Sequence, residues 1–163
     1  MDGPGLLSGA LVGTTIMTGL MEAAQARRFT RMSLPFLLGT MVSERRAAVR
    51  VWGSLFHLLN GLVFASGYAV IFERARRSGW RLGAGIGAVH GLVVLVALLP
   101  IVSEVHPRMA GEDEGPDPTP MLEPPGFLGL HYGVQTPAVA MAGHVVYGAI
   151  VGSLYRPGRL PRR

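Results

Sequence analysis

The sequence contains no cysteine and no lysine, and only 15% of its residues are charged. The absence of cysteine excludes disulfides, thiolate metal sites and cysteine-ligated iron–sulfur clusters. Soluble domains carry about a quarter charged residues, so this composition is typical of a membrane protein instead. All 15 basic residues are arginines that cluster at the ends of apolar runs. This placement favours anchoring at lipid headgroups and argues against nucleic-acid binding.

Long apolar runs are the main feature of the sequence. A membrane-spanning helix needs about 20 mostly apolar residues, and four segments qualify: residues 5–25, 51–72, 82–105 and 137–155. The N-terminus lacks the basic region of a signal peptide, so we interpret the first segment as a retained helix. The sequence predicts an all-α, four-helix transmembrane bundle that forms one integral membrane domain over residues 1–163.

Two of the three connections are long, at residues 26–50 and 106–136. Each contains an apolar element, SLPFLLGTMVS or LEPPGFLGLHYG, that is too short to cross a membrane, so we expect interfacial or re-entrant segments. The second connection also carries an acidic, proline-rich run for which we expect no regular structure. It lacks the ligand spacing of an EF-hand loop. The run contains Glu112, Asp113, Glu114 and Asp117.

The distribution of arginine bears on orientation. Eight arginines lie on the side of the short turn, the basic tail 156–163 and both termini, and seven lie on the side of the long connections. Because the positive-inside rule counts basic residues, these numbers are nearly balanced. The short basic turn is readily retained in the cytoplasm, and the acidic loop is readily exported across the membrane. We therefore expect a multi-pass protein of the inner cell membrane with cytoplasmic termini.

Two apolar helices share a pattern. HLLNGLVFASGY, which begins at His57, aligns with HVVYGAIVGSLY, which begins at His144, so that His, Gly, Ser and Tyr coincide at equivalent positions. The first and third helices also match through glycines at every fourth residue. These repeats predict a duplicated helix hairpin whose copies insert in the same direction, related by a parallel pseudo-two-fold axis. The two glycine ladders are Gly5, Gly9, Gly13 and Gly83, Gly87, Gly91.

Lipid supplies no hydrophobic drive for helix association, so small residues that allow close backbone approach are typical of packed membrane helices. The glycine ladders therefore predict helix-packing faces. Ionisable residues within the apolar segments are candidate functional residues by default. Glu22, His57 and His144 lie near the same predicted boundary. They are candidate ligands for Zn, Fe or Cu, and His57 with His144 are candidate axial ligands for haem.

A structural role is the alternative for both histidines. A neutral imidazole can donate to a backbone carbonyl and accept from a hydroxyl or amide, which holds membrane helices together at about 1 kcal/mol per bond. A proton or solute path remains a third possibility. The sequence contains no His-Glu-x-x-His, no Gly-x-Ser-x-Gly and no P-loop or Rossmann fingerprint, so no catalytic residue is predicted.

Several stretches together resemble small bacterial integral membrane proteins known only as a domain of unknown function. They are SLPFLLGTMVSERR, GSLFHLLNGLVFASGYAVIFE, GAVHGLVVLVALLPIVSEVHPRM, LEPPGFLGLHYG and GHVVYGAIVGSLY. The resemblance implies a four-helix membrane protein with no established activity.

Three functions remain open. The first hypothesis is a non-catalytic accessory or interaction subunit whose partners are the lipid bilayer and other membrane subunits or a second copy. The alternatives are a His-ligated metal- or haem-binding membrane protein and a small transporter.

Overall fold

A computed structural model describes residues 1–109 and 122–158 of the chain. The predicted acidic run Glu112–Asp117 and the end of the basic tail lie outside these residues. The described chain is helical, with an isolated bridge between Met109 and Leu122. Its α-helices are α1 (Gly3–Ala26), α2 (Leu34–Thr40), α3 (Arg46–Ala75), α4 (Trp80–Val93), α5 (Leu99–Val105) and α6 (Thr136–Leu154).

Four helices of the described chain are long and apolar enough to cross a membrane: Gly3–Ala26, Arg46–Ala75, Trp80–Val105 and Thr136–Leu154. The predicted all-α class with four long apolar helices is confirmed. Each helix also contains most of one predicted apolar segment. The two short apolar elements of the long connections form α2 and a 3₁₀ helix at Phe127–Tyr132.

Local chemistry sets several helix ends. Asp2 Oδ1 accepts the Gly5 N–H at 2.9 Å and caps the start of α1, as acidic N-cap residues do. Ser33 Oγ accepts the Phe36 N–H at 3.3 Å and caps α2. Between α4 and α5 lies a π-helical turn, Val94–Leu98. Pro100 follows it, and because proline lacks an N–H and clashes with the preceding turn, it accounts for the local change in helix register.

The chain divides into two compact units. Unit 1 comprises Met1–Leu20, Leu58–Gly91 and Met141–Arg163, and unit 2 comprises Met21–His57 and Leu92–Ala140. The core of unit 1 combines aromatic and small aliphatic residues and contains Ala10, Met17, Ala65, Tyr68, Ala69, Phe72, Tyr147, Val151 and Tyr155. The core of unit 2 contains Met21, Met32 and Leu99, against which Tyr132 and Val139 pack.

In unit 1, α6 approaches α4 at backbone distance. A Cβ added at Gly83 would overlap the Gly148 carbonyl, and a Cβ added at Gly148 would overlap the Gly83 carbonyl. Gly87 meets the His144 carbonyl in the same way, and a Cβ on Gly91 would lie 3.0 Å from the His144 Cβ. Glycine on both helices therefore permits the close approach.

The other ladder also packs on α6. A Cβ on Gly9 would lie 3.1 Å from Val151 Cα, and a Cβ on Gly13 would lie 2.9 Å from the Tyr147 ring. Gly5 faces Asp2 and the Leu154 carbonyl. All six ladder glycines are buried. A two-fold repeat would place one ladder against α6 and the other against α3. Both ladders contact α6 instead, so the contacts of the two ladders are not equivalent.

Gly87→Ala should destabilise the protein by about 1–3 kcal/mol, because the new methyl group has no space against the α6 backbone. Gly85→Ala on the same helix is the matched control, since a Cβ there meets nothing within 4 Å. We expect it to be neutral or stabilising by up to about 1 kcal/mol through helix propensity. Unfolding of the detergent-solubilised variants, followed by circular dichroism, measures both. Equal losses in the two variants would contradict the packing account.

Candidate functional site

A polar cluster lies among the apolar side chains of unit 1. We define the His–Tyr cluster as Tyr68 on α3, His90 on α4, and His144 and Tyr147 on α6. Tyr68, His144 and Tyr147 are each less than 5% exposed, and His90 is half-buried. The glycine contacts of α4 with α6 explain why the histidines meet: Gly91 packs on His144 itself, which brings the adjacent His90 alongside.

A hydrogen bond joins Tyr68 to His90. Tyr68 Oη lies 3.1 Å from His90 Nδ1. Either the phenol donates to Nδ1 or a protonated Nδ1 donates to the phenol oxygen, and the tautomer of His90 decides which. His90 Nε2 is buried and has no hydrogen-bond partner in the described chain.

Ring packing surrounds His90. The Phe64 ring centroid lies 4.0 Å from that of His90, and the His144 ring meets His90 nearly edge-on, with centroids 4.7 Å apart. Tyr147 donates its hydroxyl hydrogen to the Gly61 carbonyl and packs edge-on against Tyr68. Beside Gly61 lies Thr14, whose buried Oγ1 finds no hydrogen-bond partner among the described residues.

The His–Tyr cluster consists of two imidazoles and two phenols. The sequence segments of unit 1 contain two carboxylates, Asp2 and Glu73. Neither faces the cluster, because both are held at helix ends. Imidazole and phenol groups without a carboxylate can hydrogen-bond, order helices or pass a proton between them.

Glu73 on α3 binds the N-terminal ammonium and the segment that follows α6, and Asp2 binds the same segment to the start of α1. Glu73 Oε1 accepts from Tyr155 Oη at 2.7 Å and lies 3.6 Å from the N-terminal ammonium. Its carboxylate also accepts the Gly158 N–H at 3.2 Å, and Asp2 Oδ2 accepts the Arg156 N–H at 3.0 Å. Burial, together with the hydrogen bond to Glu73, raises the pKa of Tyr155 to about 12.

Unit 2 contains a second polar site, around the end of α2. His106 Nδ1 accepts the Arg108 N–H at 3.1 Å, so Nε2 carries the proton and donates to the Leu37 carbonyl at 3.0 Å. The Arg108 guanidinium donates to the Thr40 carbonyl at 2.7 Å and pairs with Glu44 at 3.2 Å. A cation at a helix C-terminus complements the helix dipole, so this site is a structural cap.

The predicted ligand residues fall in different environments. His57 is buried in unit 2, His144 is buried in unit 1, and Glu22 is exposed on the surface of α1. Asn60, which follows His57 on α3, is also exposed. Among the residues that the structure describes, no group of three or more His, Asp or Glu side chains could hold a metal ion.

His90 was not among the predicted ligand residues, although its ring contacts that of His144. The continuous helix Trp80–Val105 is longer than α6. Counted from Trp80 at the short turn, His90 lies as far along α4 as His144 lies from Leu154, the end of α6. That count was the available signal.

No family model, curated protein or solved structure matches the chain. Any functional proposal therefore depends on the fold and the His–Tyr cluster.

A double-mutant cycle tests the Tyr68–His90 hydrogen bond. Tyr68→Phe and His90→Phe should each cost about 1–3 kcal/mol, because each leaves one buried polar group unpaired. The double variant should lose less than the sum, with a coupling energy of about 0.5–2 kcal/mol. His90→Phe with Tyr155→Phe is the control pair and should be additive, since Tyr155 donates to Glu73 instead. Additivity in both cycles would show that the bond makes no contribution to stability.

Proposed function

We propose that this chain is a multi-pass integral membrane protein that acts as a non-catalytic accessory or interaction subunit of a membrane complex. The proposal rests first on how polarity is distributed between the inside and the outside of the helices. It rests second on a stripe of exposed small and polar residues on α1.

The distribution of polarity is the observation that carries the proposal. Soluble helices bury an apolar stripe and expose polar residues. Here the reverse holds over much of the helical surface: histidine, tyrosine and threonine are inside, and large aliphatic side chains point outward. These exposed side chains include Leu7, Leu11, Ile16, Leu55, Leu59, Val63, Val89, Leu92, Val96 and Ile101. So extensive an apolar exterior fits lipid.

The two tryptophans support the same proposal. Trp52 lies near the start of α3 and Trp80 at the start of α4, and both are about half exposed. Tryptophan is enriched where a bilayer meets water. We infer that these residues mark the two membrane boundaries, with both termini in the cytoplasm beside the basic turn that precedes Trp80.

One outward stripe of α1 supports the interaction role. Thr15, Gly19 and Glu22 are all exposed, and a Cβ at Gly19 would meet nothing within 4 Å. Small and polar residues are the ones that membrane helices use to associate, and a carboxylate on a spanning helix favours a polar partner or the headgroup region. The stripe therefore suits a second membrane helix.

The internal duplication remains part of the proposal. The equivalent His, Gly, Ser and Tyr positions of α3 and α6 support two related hairpins inserted in one direction. The glycine ladders of α1 and α4 both contact α6, which indicates that the copies, if inherited from one unit, have diverged in packing. The metal, haem and transporter hypotheses remain predictions that elemental analysis, an absorption spectrum and flux assays test.

Gly19→Leu should remove a co-purifying partner, because the added side chain fills the outward stripe of α1. The measurement is native purification in mild detergent followed by mass spectrometry of the complex. Gly67→Leu on α3 is the matched control, since Gly67 is also exposed with open space around its Cα, and it should retain the partner. A second copy of the chain would appear as an integral multiple of its own mass.

Two results would contradict the proposal. Release of the chain from membranes by alkaline carbonate would exclude integral insertion. A single-chain species in native nanodiscs, with no stoichiometric partner and no second copy, would exclude the interaction role.

A further inference from the structure

A basic cleft lies at the turn between α3 and α4. Its volume is about 480 Å³, and it is lined by Arg77, Ser78, Gly79, Trp80, Arg81 and Leu82. We propose that this cleft binds the phosphodiester headgroup of an anionic phospholipid, with the guanidinium groups of Arg77 and Arg81 as the recognition elements. This inference rests on the proposed membrane insertion and adds a ligand to it.

Uncompensated charge is the first observation that supports the site. Asp2 and Glu73 are the only carboxylates in the sequence segments of unit 1, and both already accept bonds from the chain termini, Tyr155 or backbone N–H groups. The arginines around the turn are exposed, and no described carboxylate pairs with any of them. They are Arg74, Arg76, Arg77, Arg81 and Arg156.

Two arginines on the side of the long connections have carboxylate partners: the Arg31 guanidinium pairs with Glu123 at 3.1 Å, and the Arg108 guanidinium pairs with Glu44 at 3.2 Å. The other described arginines on that side are exposed and have no such partner, as is also true of Arg77 and Arg81. What distinguishes Arg77 and Arg81 is that both line one cleft, where a single anion from outside the described chain can contact both guanidinium groups. Guanidinium matches the geometry of phosphate oxygens through paired N–H donors.

The turn itself is held in place. Ser78 donates its hydroxyl hydrogen to the Tyr155 carbonyl at 2.6 Å, and Arg77 N–H bonds to the Phe72 carbonyl at 3.3 Å. Gly79 adopts φ of 132°, a conformation that L side chains rarely adopt, so glycine is needed there. The backbone that carries Arg77 and Arg81 is thus held by hydrogen bonds and by the glycine conformation.

The cleft also lies where a lipid headgroup would be. The candidate spans end at Ala75 and begin again at Trp80, so the turn lies at the boundary between apolar helix and water. The Arg81 guanidinium stacks over the Trp80 ring, 5.1 Å from its centroid, and Leu82 completes an apolar edge. A ligand with a phosphate and attached acyl chains fits this combination of charge and apolar surface.

Tryptophan fluorescence gives a direct test, because the chain contains two tryptophans. The W52F variant leaves Trp80 as the reporter beside the cleft, and the W80F variant leaves Trp52 as the matched reporter elsewhere. Each is reconstituted into phosphatidylcholine vesicles that contain brominated phosphatidylglycerol or, at the same mole fraction, brominated phosphatidylcholine. We expect Trp80, and not Trp52, to be quenched more strongly by the anionic lipid.

Charge variants distinguish a site from general attraction. In the W52F background, R77Q/R81Q should abolish the excess quenching, with an apparent affinity loss of about fivefold for each arginine. R45Q/R46Q is the matched control: these two arginines are also exposed, the same charge is removed, and the excess should remain. Soluble glycerol phosphate should fail to compete, whereas competition would indicate a free-phosphate site.

The outcomes separate this inference from the membrane proposal. Equal quenching of Trp80 by the two brominated lipids, or equal effects of the two double variants, would overturn the headgroup site while leaving membrane insertion intact. No quenching of either tryptophan by any brominated lipid would overturn membrane insertion itself.

Discussion

The close approach of the α6 backbone to α1 and α4 is the constraint on which the structure of unit 1 depends. Packed side chains normally keep helix axes 8–10 Å apart, and glycine removes the atoms that would enforce that separation. Gly83 and Gly87 against Gly148 and Gly152 bring backbone directly against backbone. In lipid, where apolar burial provides no net drive, such contact supplies the van der Waals attraction that associates helices. The position of His144 beside His90 follows from it.

Polar groups in this core act mainly on specificity. An unpaired donor in an apolar environment costs about 1–3 kcal/mol, so a His–Tyr pair disfavours any helix register that separates its members. Tyr68 and His90 form such a pair across α3 and α4, and Tyr147 ties α6 to the Gly61 carbonyl of α3. At the helix ends, Glu73 and Asp2 bind the N-terminal ammonium and the backbone that follows α6. Together these bonds define one register for helices whose aliphatic exteriors would tolerate several.

Much of the fold was predictable because long apolar runs and glycine periodicity are strong local signals. The four long helices followed from the length and composition of the apolar runs alone. The burial of Gly83, Gly87 and Gly91 agrees with their spacing of four residues. Periodicity defines a face but not its partner, which is why the contact of both ladders with α6 was not foreseen. Other features depend on how each helix is rotated and shifted along its axis relative to its neighbours. These are the exposure of Glu22 and Asn60 and the hydrogen bond of His90. No local pattern in a single sequence encodes helix rotation or shift.

Interhelical proton contacts between glycines test the central claim most directly. A Cβ on Gly83 would lie 3.1 Å from Gly152 Cα, and a Cβ on Gly148 would lie 3.0 Å from Gly87 Cα, so the Hα protons of these pairs should be close. In a glycine-labelled sample in detergent micelles, nuclear Overhauser cross-peaks should join Gly83 with Gly152 and Gly87 with Gly148, and none should join Gly85 with either α6 glycine. If Gly83 and Gly87 instead show cross-peaks only to detergent acyl chains, the glycine-mediated contact between α4 and α6 does not exist.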